Sequence, residues 1–418
     1  MVSYLTQLLA FTAAIAPFAL AAPAPHAGHL KIRNPEATDV LEGSWIVVYN
    51  NYVNSTVLAD SIVSVGELIS KRKRRDLEDA EVSDDAGTSV DDAGVGATFD
   101  LDGLKGYQVT ADVSTIAEIA ANPDVAYVEK DAIVRALALT TQTGATWGLG
   151  RISHRNQDTT SYIYDSTAGS GVRVYVVDTG VYAAHSQFGG RASMGANFIS
   201  GSANTDENGH GTHCAGTIGG TTYGVAKKAT IVGVKVLDAS GSGTNSGVIS
   251  GIQWVANNAP ARSVLSMSLG GSYSSAVNSA VSSTVSAGVT VVVAAGNDNA
   301  NAANYSPASA TTAITVGAID QNDARASFSN YGTVLDVFAP GVSVLSAWIG
   351  GTSATNTISG TSMATPHVAG LAAYLIALEA LTTPSAVAAR IVALATTGKV
   401  TSPGTGSPNR IAYNGNGA

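Results

Sequence analysis

An aspartate, a histidine and a serine stand in this sequence where the chain passes between strand and helix, and together they could run nucleophilic acyl transfer. The apolar run Val172–Val177 ends in Asp178-Thr179-Gly180, which leaves a carboxylate at the carboxyl end of a strand. Asn208-Gly209-His210-Gly211-Thr212-His213-Cys214 puts His210 at the start of a small-residue helix, and Gly360-Thr361-Ser362-Met363-Ala364 puts Ser362 at the start of an Ala-rich one. A serine hydroxyl is a weak nucleophile until a base takes its proton. A histidine does this best when a buried carboxylate fixes its tautomer and stabilises the imidazolium. Asp178, His210 and Ser362 supply those three roles. Val291–Ala294 leads through Ala295-Gly296 to Asn297, an amide able to donate to an oxyanion, with the backbone N–H of Ser362 as the second donor.

Groups so far apart in sequence need a frame that gathers them. From Thr140 onward, β-branched runs at Val172–Val177, Ile231–Val236, Val264–Met267, Val289–Ala294 and Ile314–Val316 alternate with Ala-rich helical stretches. Continuous apolar strands of this kind predict an α/β fold, a mainly parallel sheet flanked by helices, with reactive groups collected at the strands' carboxyl ends. The preceding segment is a different object. Residues 1–139 carry 10 basic and 20 acidic side chains, whereas 140–418 carry 12 and 11. Strands at Trp45–Tyr49, Gly106–Val109 and Val125–Val134, with helices at Thr56–Ser70 and Ser114–Ala121, predict a small α+β, ferredoxin-like sandwich there. Lys71–Arg75 and the acidic Gly/Asp/Ser tract behind it read as a flexible loop over about 71–97, with Arg75 as a candidate processing site.

Leu5–Ala22 is almost wholly apolar and ends in Ala19-Leu20-Ala21, the small-x-small form of a secretion signal over residues 1–21, although Met1–Gln7 carries no basic residue. No other stretch reads as a bilayer span, so no stable membrane association is expected. With 45% hydrophobic and 13% charged residues the chain can bury a large core, and its net charge of -9 lacks the cationic footprint that nucleic acid requires. A single cysteine, Cys214, rules out an intramolecular disulfide, so stability outside a reducing cell must rest on packing or metal ions. His210, His213 and Cys214 could ligate zinc, but the Glu of a His-Glu-x-x-His protease is missing. No Gly-x-Ser-x-Gly elbow supports an α/β-hydrolase. Asn54-Ser55-Thr56 and Asn304-Tyr305-Ser306 have the form of glycosylation acceptors, the second followed by Pro307.

The strings Val-Asp-Thr-Gly (177–180), His-Gly-Thr-His (210–213), Ala-Ala-Gly-Asn (294–297) and Gly-Thr-Ser-Met-Ala-Thr-Pro-His (360–367), in this order, resemble the subtilisin-like serine proteases, and most of all the proteinase K branch of secreted fungal enzymes. The resemblance covers essentially all of 140–418. It implies a secreted serine endopeptidase of broad specificity, monomeric, acting on polypeptides through an Asp178–His210–Ser362 triad with Asn297 in the oxyanion hole. It implies that 22–139 is an inhibitory propeptide that chaperones the catalytic domain and is cut autocatalytically. Aligning Trp147 puts that cut between Leu139 and Thr140. Ser268-Leu269-Gly270 and Gly241-Ser242-Gly243 match the two edges that pair with an extended substrate, a form of β-augmentation that tolerates many sequences. A pocket of backbone and small apolar groups around Ala294–Asn297, with no acid at its base, favours uncharged aliphatic or aromatic residues before the cut. Alignment also implies one structural calcium on the Asp336 carboxylate and the Thr311 and Ala313 carbonyls. The branch's weaker second site falls on Arg155 and Lys399 and is not expected, and its paired disulfide cysteines are missing. A catalytically silent binding protein and a secreted esterase are the rival readings. The four intact active-site positions weigh against the first and the peptide-pairing edges against the second.

Overall fold

The computed structural model describes residues 32–34, 40–80, 94–132, 139–157 and 159–417. The expected secretion signal lies outside them. Two compact units divide between residues 133 and 134.

The first unit runs β1 (Val40–Tyr49), α1 (Ser55–Ala80), β2 (Gly94–Leu101), β3 (Leu104–Thr110), α2 (Val113–Ala120) and β4 (Val125–Ala132), and its sheet is antiparallel in the order β2-β3-β1-β4. This is the ferredoxin-like arrangement expected. Its core joins Val47, Tyr49, Tyr107 and Val109 of the sheet to Leu58, Val65, Ile69, Ile116 and Ile119 of the helices. One expectation needs correction at both its ends. The flexible loop over 71–97 is not found at its start, because α1 continues through Lys71–Arg75 to Ala80. The stretch from Lys71 to Ala80 contains no Gly or Pro, its Lys, Arg, Leu, Glu and Ala are good helix formers, and Arg72 pairs with Glu118 of α2 at 2.6 Å. At the other end Gly94–Leu101 is a strand, joined to β3 by Asp102-Gly103, where Gly103 takes the positive φ of a hairpin turn. Residues 81–93 lie outside the described set.

The second unit contains β5 (Leu139–Thr143), α3 (Trp147–Ser153), β6 (Ser161–Asp165), β7 (Arg173–Asp178), β8 (Ala192–Asn197), α4 (His210–Gly219), β9 (Thr230–Lys235), α5 (Asn245–Asn258), β10 (Val264–Met267), β11 (Gly271–Ser272), α6 (Ser275–Ser286) and β12 (Thr290–Ala294). It continues through β13 (Tyr305–Ser306), β14 (Ile314–Ile319), β15 (Val337–Pro340), β16 (Val344–Ala347), β17 (Thr355–Ile358), α7 (Thr361–Glu379), α8 (Pro384–Leu394), β18 (Thr396–Thr397) and β19 (Arg410–Ile411). Nine strands form the central sheet in the order β18-β19-β15-β14-β12-β10-β7-β9-β8, parallel except where β18 meets β19.

Strand alternation decides which helix each residue meets. Val174 and Val176 of β7 join the core under α4 and α7, while Tyr175 and Val177 join the one under α5 and α6. By the same alternation Asp178 faces the α4 side, where His210 begins its helix. Sequence reading found no bilayer span after the signal, yet α7 is long and apolar enough for one; 83% of that window is buried inside the protein, which makes it the core helix instead.

Candidate active site

Asp178 ends β7 with no solvent exposure, and its Oδ1 accepts from the backbone N–H of Thr179 at 2.7 Å and from His210 Nδ1 at 2.8 Å. His210 opens α4 behind Gly209, whose φ of 108° suits glycine and whose added Cβ would strike the Trp348 ring at 2.4 Å. The next residue, Gly211, lies so close to the Gly180 carbonyl that a Cβ would sit 2.1 Å from it. Small residues here let the histidine helix approach the end of β7. Burial alone would lower the pKa of the His210 imidazole. The charge and hydrogen bond of Asp178, with the charge of Asp206 behind them, outweigh it and hold the pKa above its ordinary value.

Ser362 is the second residue of α7. Pro366 in that helix has no N–H to give to the carbonyl four residues back, and the freed Ser362 carbonyl accepts from Ser268 Oγ at 2.9 Å and the Cys214 thiol at 3.4 Å. Ser268 thereby ties the nucleophile's backbone to the end of β10. The Ser362 hydroxyl donates to the Ser268 carbonyl at 3.0 Å, while Ser362 and His210 both line one cleft of about 620 Å³. Asn297 follows β12, and its Oδ1 accepts from the N–H and Oγ1 of Thr361 at 2.9 and 3.0 Å. That anchor turns the amide NH2 toward Gly360 and the start of α7.

Gly241, Ser242 and Gly243 line the same cleft, and so do Ser268, Leu269 and Gly270. A second cavity of about 280 Å³ is walled by Leu269, Gly270, Ala294, Ala295, Gly296 and Tyr305, with Asn297 and Ser362 at its edge. Its lining also includes Asp298, an exposed acid that the sequence reading did not place there and that faces the Tyr305 hydroxyl. Sequence reasoning further missed Thr361, which orients Asn297, although its place directly before the serine in Gly-Thr-Ser was a visible cue.

Cys214 is fully buried and burial raises its thiol pKa, in keeping with a core position. Among the described residues, one group of three metal-binding side chains comes together, Asp178, His210 and Cys214, and two of these are already hydrogen-bonded to each other. His213 instead donates from Nε2 to the Val344 carbonyl at 3.0 Å, away from that group. For calcium, Asp336 immediately precedes β15, its N–H donates to the Thr315 carbonyl at 3.0 Å, and its Oδ2 accepts from the Thr315 N–H at 2.8 Å. Thr311 and Ala313 lie in the turn leading into β14, the strand paired with β15. Burial raises the pKa of the Asp336 carboxyl against that N–H and the charge of Arg410. A carboxylate oxygen is a donor type that a hard cation takes. At the other aligned position Arg155 stacks on Tyr413 and donates to the Leu394 carbonyl at 3.3 Å.

Residues 169–413 match the subtilase family and residues 52–137 match the peptidase inhibitor I9 family. The chain belongs to the subtilase family, and it is a subtilisin-like serine protease preceded by an I9-type propeptide. It is 59% identical over 413 residues to subtilisin-like protease 2 of Pseudogymnoascus destructans, covering 99% of both chains. An alkaline proteinase of Hapsidospora chrysogena is 59% identical over 342 residues, with 78% of this chain and 84% of that one covered. A cuticle-degrading protease of Metarhizium anisopliae is 56% identical over 299 residues, covering 70% and 76%. The crystal structure of a cold adapted subtilisin-like serine proteinase superposes with a TM-score of 0.63 at 48% identity, over 65% of this chain and 99% of the other.

Two buried histidines give this unit a defined acid weakness. His213, bonded to Val344, and His367, whose Nδ1 donates to the Met363 carbonyl at 2.8 Å, are each pushed down to about 4 by burial. An unfolded histidine takes up its proton below about 6.5, so the stability contributed by these neutral rings is lost as pH falls from there through about 4. Thermal midpoints of the inhibitor-blocked enzyme should fall steeply across that window, and His367→Gln should flatten the slope. An unchanged slope would show that His367 does not titrate as described.

Proposed function

We propose that this protein is a secreted endopeptidase of broad specificity, made as a self-processing zymogen with a signal over 1–21, an inhibitory and chaperoning propeptide over 22–139, and a monomeric peptidase over 140–418. The observation that carries the reading is the 2.8 Å contact between His210 and the unexposed Asp178 carboxylate, beside a cleft that Ser362 also lines. The I9 match and the names of the fungal relatives support the zymogen and the extracellular setting.

In the proposed mechanism an extended polypeptide pairs with Ser268–Gly270 on one side and Gly241–Gly243 on the other. The Ser362 hydroxyl turns from the Ser268 carbonyl toward His210 Nε2 and attacks the scissile carbonyl as its proton passes to the imidazole. Asp178 holds the ring and stabilises the imidazolium. The oxyanion accepts from Asn297 Nδ2 and the Ser362 N–H. His210 then protonates the leaving amine as the C–N bond breaks, and water, deprotonated by the same ring, hydrolyses the acyl-enzyme and restores Ser362. The mainly apolar and backbone lining of the smaller cavity favours aliphatic or aromatic residues before the cut, and Leu139 fits that preference. Asp336, with the Thr311 and Ala313 carbonyls, would hold one structural calcium that cross-links the starts of β14 and β15.

Two measurements test this. A proteome-derived peptide library should be cut mainly after uncharged aliphatic and aromatic residues. Ser362→Ala should leave an uncut precursor and lower turnover by about six orders of magnitude, a size known from the equivalent change in subtilisin itself rather than calculated for this chain. Cutting chiefly after Lys or Arg would transfer the specificity to Asp298, and normal maturation of Ser362→Ala would overturn self-processing. For the metal, EDTA should lower the thermal midpoint by several degrees and added calcium should restore it, as expected for a ligand that binds only the folded state. An unmoved midpoint would remove the site.

A further inference from the structure

Behind the Asp178–His210 pair lies a second buried carboxylate that the proposed mechanism does not use. Asp206 is 5% exposed and stands in the loop leading to α4. Its Oδ1 accepts from Thr179 Oγ1 at 2.8 Å and from the N–H groups of Asn208 and Gly209 at 3.0 and 2.9 Å. Its Oδ2 accepts from the N–H and Oγ1 of Thr212 at 2.9 and 2.6 Å. These donors bracket both partners of the central pair. Thr179 follows Asp178 directly, and its Oγ1 in turn accepts from the Gly211 N–H at 2.9 Å, while Gly209 and Gly211 flank His210. The nominal cap of α4, Gly209, has no side chain to satisfy the helix's first N–H groups, and Asp206 and Thr179 do so from outside.

We propose that Asp206 is a positioning carboxylate for the reaction: it locks the turn carrying His210 to the end of β7 carrying Asp178, and it sets a second negative charge beside the imidazole. This rests on His210 acting as the base. A carboxylate with five donors cannot be exchanged for an amide without turning an NH2 against one of them. Among the described residues no ion pair joins Asp206 to a cation. Lys235, which neighbours Asp178 across the β7–β9 pairing, gives its ammonium to the Thr179 and Leu237 carbonyls at 2.7 and 2.9 Å and lies 3.7 Å from Glu207, its own counter-charge. His213 and Cys214, the other titratable groups on α4, are neutral near pH 7 because burial lowers the one pKa and raises the other. The charges of Asp178 and Asp206 both act on His210, and both favour its protonated form.

The test is the pH profile of kcat/KM for the matured enzyme. In Asp206→Asn the acid limb should move to lower pH by roughly half a unit to one unit, because the imidazole has lost a stabilising charge. The alkaline plateau should fall about ten- to a hundredfold, because the ring is no longer held in place. Asp206→Glu keeps the charge but displaces the oxygens, so it should lower the plateau with the limb nearly unmoved. A merely structural residue would lower thermal stability in both variants while leaving limb and plateau alone, and that outcome overturns the proposal. Should Asp206→Asn yield no folded enzyme, Asp206→Glu decides positioning by its plateau, and full turnover there is again contrary. His210→Ala separates the two readings: turnover surviving that change defeats the assignment of the base, whereas a normal limb in wild type that Asp206→Asn leaves in place defeats the role of Asp206 alone.

Discussion

The whole arrangement turns on a carboxylate held out of water against an imidazole. An aspartate with no solvent exposure is costly to bury unless donors meet it; Asp178 Oδ1 takes the Thr179 N–H and the His210 ring, while its buried Oδ2 has no partner among the described residues. Placing it there takes a parallel strand whose alternation points residue 178 toward α4. It also takes a helix that starts in the right place and glycines that allow the helix to approach. The central sheet supplies the first, the Asn208-Gly209-His210-Gly211 turn the second, and the tight fit of Gly211 against Gly180 the third. Replacing that pair by apolar groups would suit a stable core equally well. Its retention is a matter of chemistry.

The opposite wall of the cleft follows the same logic with backbone groups. Pro366 withholds one helical hydrogen bond of α7, and the Ser362 carbonyl so released is bound to β10 through Ser268. Asn297 reaches the same helix start through Thr361, which fixes the amide that faces the reacting centre. The nucleophile is thus mounted on a helix terminus, and the amide donor, in the bend after β12, is hydrogen-bonded to that same terminus; such fixing lowers the reorganisation needed when charge develops on an oxyanion. The 45 glycines and the Ala-rich helices of this chain make such close mounting possible without disulfides.

Much of this was legible in the residues themselves. The run Val264–Met267 is a strand with the expected bounds, and Val172–Val177 and Ile231–Val236 are each shifted by one residue, because buried parallel strands leave an apolar record that surface loops do not. Asp178, His210, Asn297 and Ser362 were visible as polar residues at strand ends and helix starts. What escaped depended on partners far away in sequence or on local geometry. The stretch from Lys71 onward read as a solvated loop because of its run of like charges at Lys71–Arg75, yet good helix formers continue α1 to Ala80 and Arg72 pairs with Glu118. The strand Gly94–Leu101 has a weak apolar pattern and was signalled by the Asp102-Gly103 turn alone. Asp206 resembled any loop acid until five donors converged on it, and Asp298 entered a cavity wall that only the fold defines. The helix α7 has the length and hydropathy of a membrane span, which a buried core helix shares.

The measurement that bears most directly on this account is the kinetics of Asp178→Asn, with peptide turnover and the His210 titration followed together. If the buried carboxylate fixes the tautomer and supports the imidazolium, turnover falls by roughly four orders of magnitude, the size known for subtilisin and related triads rather than calculated for this chain. The His210 pKa should fall from its raised value in the same variant, so that the ring titrates at lower pH than in wild type. A variant that kept most of its turnover, or whose imidazole titrated as before, would contradict the central role given to the Asp178–His210 contact.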